Sequence, residues 1–222
     1  MTVLTERYTR AIAFTLLHHQ RQTRKQSTVP YFTHLIGVSS VVLEFGGNED
    51  QAIAGLLHDT LEDISGDLAG EIAGLFGEGV LEMVQGCTDL SKEKRDQQGR
   101  KASWYQRKES IIFTLTQKPE TVLLVALSDK NHNARNLLEN TIVQGDLFWD
   151  RFNAGKWPTL WYYRRLRETL RDLQVQHEGL GQLLQVFEYT VQELERVNGV
   201  LQVPTEELKI PLNGSIQPPS TP

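Results

Sequence analysis

The chain has 222 residues, 39% of them hydrophobic and 23% charged, and a formal net charge of −5 with histidine neutral. That length suits one large domain with a substantial buried core, and the charge balance lacks the strong basic excess of a general nucleic-acid binder. The single cysteine, Cys87, excludes an intrachain disulfide. The N-terminus lacks the charged, apolar, small-residue order of a secretory signal, and the longest wholly apolar run, Val122 to Leu127, is far shorter than the ~20 residues that span a bilayer. A reducing cytoplasm, with neither nucleic acid nor membrane as partner, is the expected setting, and composition leaves the oligomeric state open.

In chain order, apolar residues recur at helical spacing over about 5–19, 31–45, 49–61, 67–76, 78–86, 101–117, 120–139, 143–153, 158–173 and 176–197, and strand signals are scarce. Pro30 can open one helix, Gly46-Gly47 can close it, Asn48 and Asp50 stand at the next start, and Pro119 opens another. The predicted fold class is all-α, a compact multi-helix bundle over residues 1–200. From about Val203, Pro204, Pro211, Asn213-Gly214 and Pro218-Pro219 break any pattern, so 203–222 are expected to form a flexible tail.

The first stretch with chemistry is Gln22-Thr-Arg24-Lys25, a basic loop that runs through Pro30 into a helix with His34 in its first turn. Taken alone, His34 reads as a surface or hydrogen-bonded core histidine, and Arg24-Lys25 as a solvated loop. Next comes Gln51-Ala-Ile-Ala-Gly-Leu-Leu-His58-Asp59-Thr-Leu-Glu62-Asp63. On one continuous helix, Ile53, Leu56, Leu57 and Leu61 share a core wall, and His58, Asp59, Glu62 and Asp63 share the other. Three carboxylates on adjacent turns repel one another unless a cation neutralises them, and a divalent metal is the simplest candidate.

Further on, the buried run Val122 to Ser128 turns polar at Asp129, followed on one helical stripe by His132, Asn133 and Asn136. Asp129 could be a salt-bridged or capping acid, and the two asparagines ordinary exposed positions. Together His34, His58, Asp59 and Asp129 form a set of two nitrogens and two oxygens drawn from three helices. Such a set suits Mn²⁺ or Fe²⁺ better than Zn²⁺ or Mg²⁺, and a metal of this kind can activate water at neutral pH. Glu62 and Asp63, one turn beyond, are then candidates for general acid/base work. The most aromatic segment, Trp157-Pro158-Thr-Leu-Trp161-Tyr162-Tyr163-Arg164-Arg165, could stack on a base, but large aromatics near a helix start more often lock it onto the core, with the arginines exposed.

The order His34, His58-Asp59, Asp129 resembles the HD superfamily of metal-dependent phosphohydrolases. Gln22-Thr-Arg24-Lys25, Pro30-Tyr31 with Thr33-His34, Leu56-Leu57-His58-Asp59 with Glu62-Asp63, and Asp129 with His132-Asn133 resemble one branch of it over about residues 5–175. That branch is the hydrolase domain of RelA/SpoT homologues and the small alarmone hydrolases. The resemblance implies one Mn²⁺ held by His34, His58, Asp59 and Asp129, and removal of the 3′-pyrophosphate from guanosine tetra- or pentaphosphate. It also implies Glu62 and Asp63 acting on the attacking water, and Arg24, Lys25 and Asn133 contacting the nucleotide. No synthetase domain is expected. Leu35, Lys130, Asn131 and Asn136 depart from the branch's usual residues, which leaves open an HD nucleotidase or nucleotide pyrophosphatase of other specificity, or a catalytically silent nucleotide sensor.

Overall fold

A computed structural model describes residues 2–88 and 103–209. Among these residues every regular element is helical, apart from one isolated bridge between Thr23 and Pro30. Helix α1 (Glu6–His19) is capped by the Thr5 hydroxyl, which accepts from the Arg7 N–H. Helix α2 (Phe32–Glu44) follows Pro30 and ends at Gly46, whose φ of +79° suits a residue without a Cβ. Helix α3 (Glu49–Leu57) opens on a capping box in which Asn48 and Gln51 satisfy each other's backbone N–H groups.

Every residue from Gln51 to Leu57 is buried, so α3 is the central rod of the bundle, enclosed by α1, α2, α6 (Glu78–Cys87) and α8 (Glu120–Gln144). Its tightest neighbour is α2: a Cβ on Gly55 would lie 3.1 Å from Ser39 Cα, so any larger residue would push the two helices apart by a few tenths of an ångström.

The single helix expected over 49–61 is two. Helix α3 stops at Leu57, and a short α4 (Thr60–Asp63) begins after a turn at His58–Asp59. Helices α5 (Ala69–Phe76) and α6 form a hairpin about Gly77, where φ is +93°. Helix α7 (Trp104–Leu115) starts from a Ser103–Gln106 capping box, and positions 101 and 102 of its expected start lie outside the described residues. Helix α8 runs 25 residues, past the expected end at 139. Gly145 then turns the chain into a 3-10 segment, Gly145–Arg151, where an α-helix over 143–153 was expected. The α-helical pattern there misled because the Phe148, Trp149 and Phe152 cluster can be packed by a tighter turn as well.

Helix α9 (Lys156–Leu170) carries the aromatic segment into the core, with Trp161 fully buried. Arg164, expected at the surface, is buried as well: its Nε donates to Glu195 of α10 (Glu178–Val197) at 3.1 Å, and its Nη groups donate to the carbonyls of Val200 and Val203. Arg167 donates to the second oxygen of Glu195 at 3.3 Å. Of the stretch read as a tail, residues to Lys209 are described, and Leu208 is buried against α9 in a 3-10 turn. Positions 210–222 lie outside the described residues, and no described helix is long and apolar enough to cross a membrane.

Glu195 is 1% exposed and answers two guanidinium groups at once. Replacing it with alanine leaves the buried Arg164 and the half-buried Arg167 without their carboxylate and should destabilise the fold by about 3–5 kcal/mol, read as a lower urea midpoint at unchanged slope.

Candidate metal centre

The turn between α3 and α4 owes its shape to His58. The ring Nδ1 lies 2.8 Å from the carbonyl oxygen of Gly55, the acceptor that an unbroken helix would offer to the Asp59 N–H. A carbonyl only accepts, so Nδ1 carries the proton and Nε2 presents its lone pair. That Nε2 is buried and has no hydrogen-bond partner among the described residues. It nevertheless lies 3.0 Å from Asp59 Oδ2 and 3.7 Å from Asp129 Oδ1. His34 enters from the first turn of α2, with its Nε2 3.2 Å from Asp129 Oδ1 and 3.8 Å from Asp59 Oδ2.

All four residues singled out as ligands therefore converge, and the donor atoms of His34, His58 and Asp59 lie within 4.8 Å of one another. Separations of 3.0–3.8 Å are the edges expected of a coordination polyhedron with bonds of about 2.1 Å. Two lone pairs and two carboxylates facing one another need a positive charge between them. Burial opposes charge on His58, but Asp59 and Asp129 outweigh it and hold its pKa well above the usual imidazole range. Burial dominates at His34 and lowers its pKa despite Asp129. Burial resists ionisation of Asp59 too, yet His58 holds its carboxyl far below the ordinary value. A divalent cation satisfies the same demand as the proton on His58 and releases that proton on binding. On these grounds the donor set fits a metal.

Around the ligands stands a ring of orienting groups that the sequence did not single out. The Tyr31 hydroxyl donates to Asp59 Oδ2 at 2.5 Å, and burial followed by the charge of Asp59 raises the Tyr31 pKa far enough to keep it a donor. His132 Nδ1 lies 3.0 Å from His34 Nδ1, and burial next to His34 lowers the His132 pKa to about 4. His132 can sit there because position 37 is glycine: a Cβ would lie 2.3 Å from its Nε2. Lys130 donates to Asp129 Oδ2 at 2.5 Å, which leaves Oδ1 to face the imidazoles.

Asn133 donates to Asp129 Oδ1 at 2.6 Å and accepts from Arg24 Nη2 at 2.8 Å, so of the two readings open for the asparagines, ordinary exposed positions or part of the site, Asn133 is half-buried and wired to the cluster. His19, buried in the last turn of α1, bridges Gln22 at 2.5 Å and Thr60 at 3.3 Å, tying the Arg24 loop to the start of α4. The sequence signal that could have found Tyr31 and His19 was their closeness to the basic loop.

Among the described residues, cavities lie on both sides of the cluster, among them two lined by its own or its neighbouring side chains. One, of about 410 Å³ between α6, α7 and α8, is lined by His58, Asp59, Asp129, Glu62 and Lys130 together with residues of α6 and α7. The other, of about 450 Å³, is lined by Arg24, Lys25, Asn133, Asn136, Trp104 and Phe152 among others. Lys108 and Tyr162 line both, and the Lys108 ammonium lies 4.5 Å from the Tyr162 ring centroid. Glu62 thus faces the cluster's own cavity, whereas Asp63 is exposed at the end of α4. The aromatic segment is mainly core, as weighed from the sequence, with Tyr162 its link to both cavities.

A helical bundle with two imidazoles and two carboxylates converging at its centre defines a class of proteins built around a divalent-metal site. The chain belongs to the HD-domain family, whose model matches residues 11–145. It is 35% identical over 129 residues to a probable guanosine-3′,5′-bis(diphosphate) 3′-pyrophosphohydrolase of Synechocystis, covering 58% of this chain and 16% of that protein. It is 34% identical over 120 residues to the bifunctional (p)ppGpp synthase/hydrolase SpoT of Escherichia coli K12, covering 54% of this chain and 16% of that protein. The chain thus spans about a sixth of the length of these relatives. Among solved structures, one described as a metazoan ortholog of SpoT that hydrolyses ppGpp shares the fold with a TM-score of 0.63 at 23% identity, over 90% of this chain and 100% of that one.

Removing any one donor, as in His34→Ala, His58→Ala, Asp59→Ala or Asp129→Ala, should abolish stoichiometric metal, measured by elemental analysis after dialysis. Full occupancy in all four would break the assignment. Tyr31→Phe keeps the ring and loses only the hydrogen bond to Asp59; metal affinity should fall about 10–100-fold in a chelator competition, with the fold intact by circular dichroism.

Proposed function

We propose that the chain is a metal-dependent phosphohydrolase that removes the 3′-pyrophosphate from guanosine tetra- or pentaphosphate, with Mn²⁺ as its metal and Fe²⁺ as the nearest substitute. The observation that carries this reading is the convergence of His34, His58, Asp59 and Asp129 about a buried imidazole nitrogen that has no hydrogen-bond partner among the described residues, between two cavities lined by cationic side chains. The names of the relatives support the nucleotide, and the mixed nitrogen and oxygen donors support Mn²⁺ over Zn²⁺. The lone, half-buried Cys87 fits a reducing cytoplasm.

A bound divalent cation supplies Lewis acidity here, drawing charge from a phosphoryl oxygen and lowering the pKa of water. The chain does the rest. Arg24 and Lys25 line the larger cavity and complement a polyphosphate, and Asn133 holds the Arg24 fork at 2.8 Å. Trp104 and Tyr162 give that cavity the flat apolar walls a base requires. Glu62, which lines the cluster's cavity, takes the proton of the attacking water, and Asp63, exposed one residue on, assists it. The water oxygen bonds to phosphorus, the bond from phosphorus to the 3′-oxygen breaks, and that oxygen leaves with the electron pair and takes up the proton that Glu62 received.

The departures from the branch's usual residues bear unequally on this reading. Leu35 and Asn131 are buried at 0% and 1% exposure, and Lys130 supports Asp129. Only Asn136 lines the Arg24 cavity, so a nucleotidase or nucleotide pyrophosphatase of different base preference rests on that residue. A silent sensor has no use for Glu62 in the cavity.

Mn²⁺-loaded protein should release pyrophosphate from guanosine 3′,5′-bis(diphosphate) and leave GTP and ATP intact. Turnover of other nucleotides alone would favour the nucleotidase, and turnover of none the sensor. Glu62→Gln with Asp63→Asn keeps volume and polarity while removing two bases; kcat should fall by about 10²–10⁴ with metal content unchanged. Loss of metal from that variant would make one of the two a ligand.

A further inference from the structure

The cavity between α6, α7 and α8 is lined by three lysines. Lys130 answers Asp129, and Lys108 stands over the Tyr162 ring at the cavity's border. Lys118, in the turn between α7 and α8, also lines it. The Lys118 ammonium donates to the Gly86 carbonyl at 2.6 Å and pairs with no carboxylate among the described residues. Three ammonium groups therefore share one pocket of about 410 Å³ whose acids, among the described residues, are Asp59, Asp129 and Glu62. A divalent cation held by the two aspartates would leave Lys118 with no carboxylate to answer among the described residues. Half-burial disfavours the charged form of Lys118 and so does the nearby Lys130, so both depress its pKa. An anion between the two lysines would relieve that repulsion.

We infer that this cavity is the subsite for the departing inorganic pyrophosphate, with Lys118 as the cation that grips its terminal phosphate, while the nucleoside lies on the opposite side of the cluster beside Arg24 and Lys25. This rests on the metal centre being a phosphohydrolase site. The two cavities allow such a division: the phosphorus under attack lies at the cluster, its 3′-oxygen leaves toward the nucleoside with the attacking water opposite it on the Glu62 side, and the second phosphate projects sideways from that axis toward Lys118. The reaction consumes one water and frees pyrophosphate, which then sits among the lysines until released.

The competing role for Lys118 is a cap on the last turn of α6, since Gly86 is one of the carbonyls left over at that helix end. Calorimetric titration with inorganic pyrophosphate, Mn²⁺ kept in excess over it and bound metal checked afterwards, separates the two. Lys118→Gln should weaken pyrophosphate binding about tenfold and leave GDP binding unchanged, whereas Lys118→Arg should stay within about threefold of wild type. A mere cap predicts a lower Tm for Lys118→Gln with wild-type pyrophosphate affinity, and that result overturns the subsite. Equal weakening of GDP and pyrophosphate overturns it too. If wild-type protein cleaves no alarmone yet binds pyrophosphate in a Lys118-dependent way, the substrate assignment falls and the subsite stands.

Discussion

Positive charge at the buried Nε2 of His58 is the demand to which the rest of the molecule answers. Once Nδ1 is committed to Gly55, the other nitrogen must face two carboxylates with its lone pair, in a place water does not reach. A lone pair and two anions at 3.0–3.7 Å are tenable only with a proton or a cation among them. The central position of α3 sets the burial, the break after Leu57 sets the ring's direction, and α8 brings Asp129 in from the opposite wall.

The outer groups act on that centre through the four converging residues. Lys130 takes Oδ2 of Asp129 and leaves Oδ1 to the imidazoles, Tyr31 donates to the same Asp59 oxygen that faces them, and His132 fixes the plane of the His34 ring. Orientation of this kind is worth about 10–100-fold in affinity at a metal site. Gly37 belongs to the same scheme although it carries no side chain, because its lack of a Cβ is what admits His132.

Much of the fold was legible in the sequence, since most elements are strongly periodic helices with caps at their starts, as at Asn48 and Ser103. The convergence of His34, His58, Asp59 and Asp129 was legible because acids and imidazoles interrupt runs that are otherwise apolar. What could not be read was anything decided by a tertiary partner. A helical wheel drawn through His58 has no knowledge of a ring that competes for the Gly55 carbonyl, and an arginine beside three aromatics looks exposed until Glu195 arrives from another helix. Tyr31 has two neighbours in sequence that read as turn and helix start, whereas its partner Asp59 is 28 positions away. Gly145, with φ of +60°, ends α8 at a point where composition still reads as helix.

Arg24, Asn133 and Asp129 are joined in series, with Asn133 accepting from one and donating to the other. A guanidinium drawn toward a phosphate loosens its grip on the asparagine, and the asparagine then answers Asp129 differently; a cation drawing on Asp129 acts back along the same path. Thermodynamic reciprocity makes the two effects equal: by whatever factor the metal changes affinity for a polyanion at the loop, the polyanion changes affinity for the metal. With a cation at the cluster and a polyanion at the loop, the chain of three side chains would link two ligands of opposite charge, and neither binding constant would be a property of its own pocket alone.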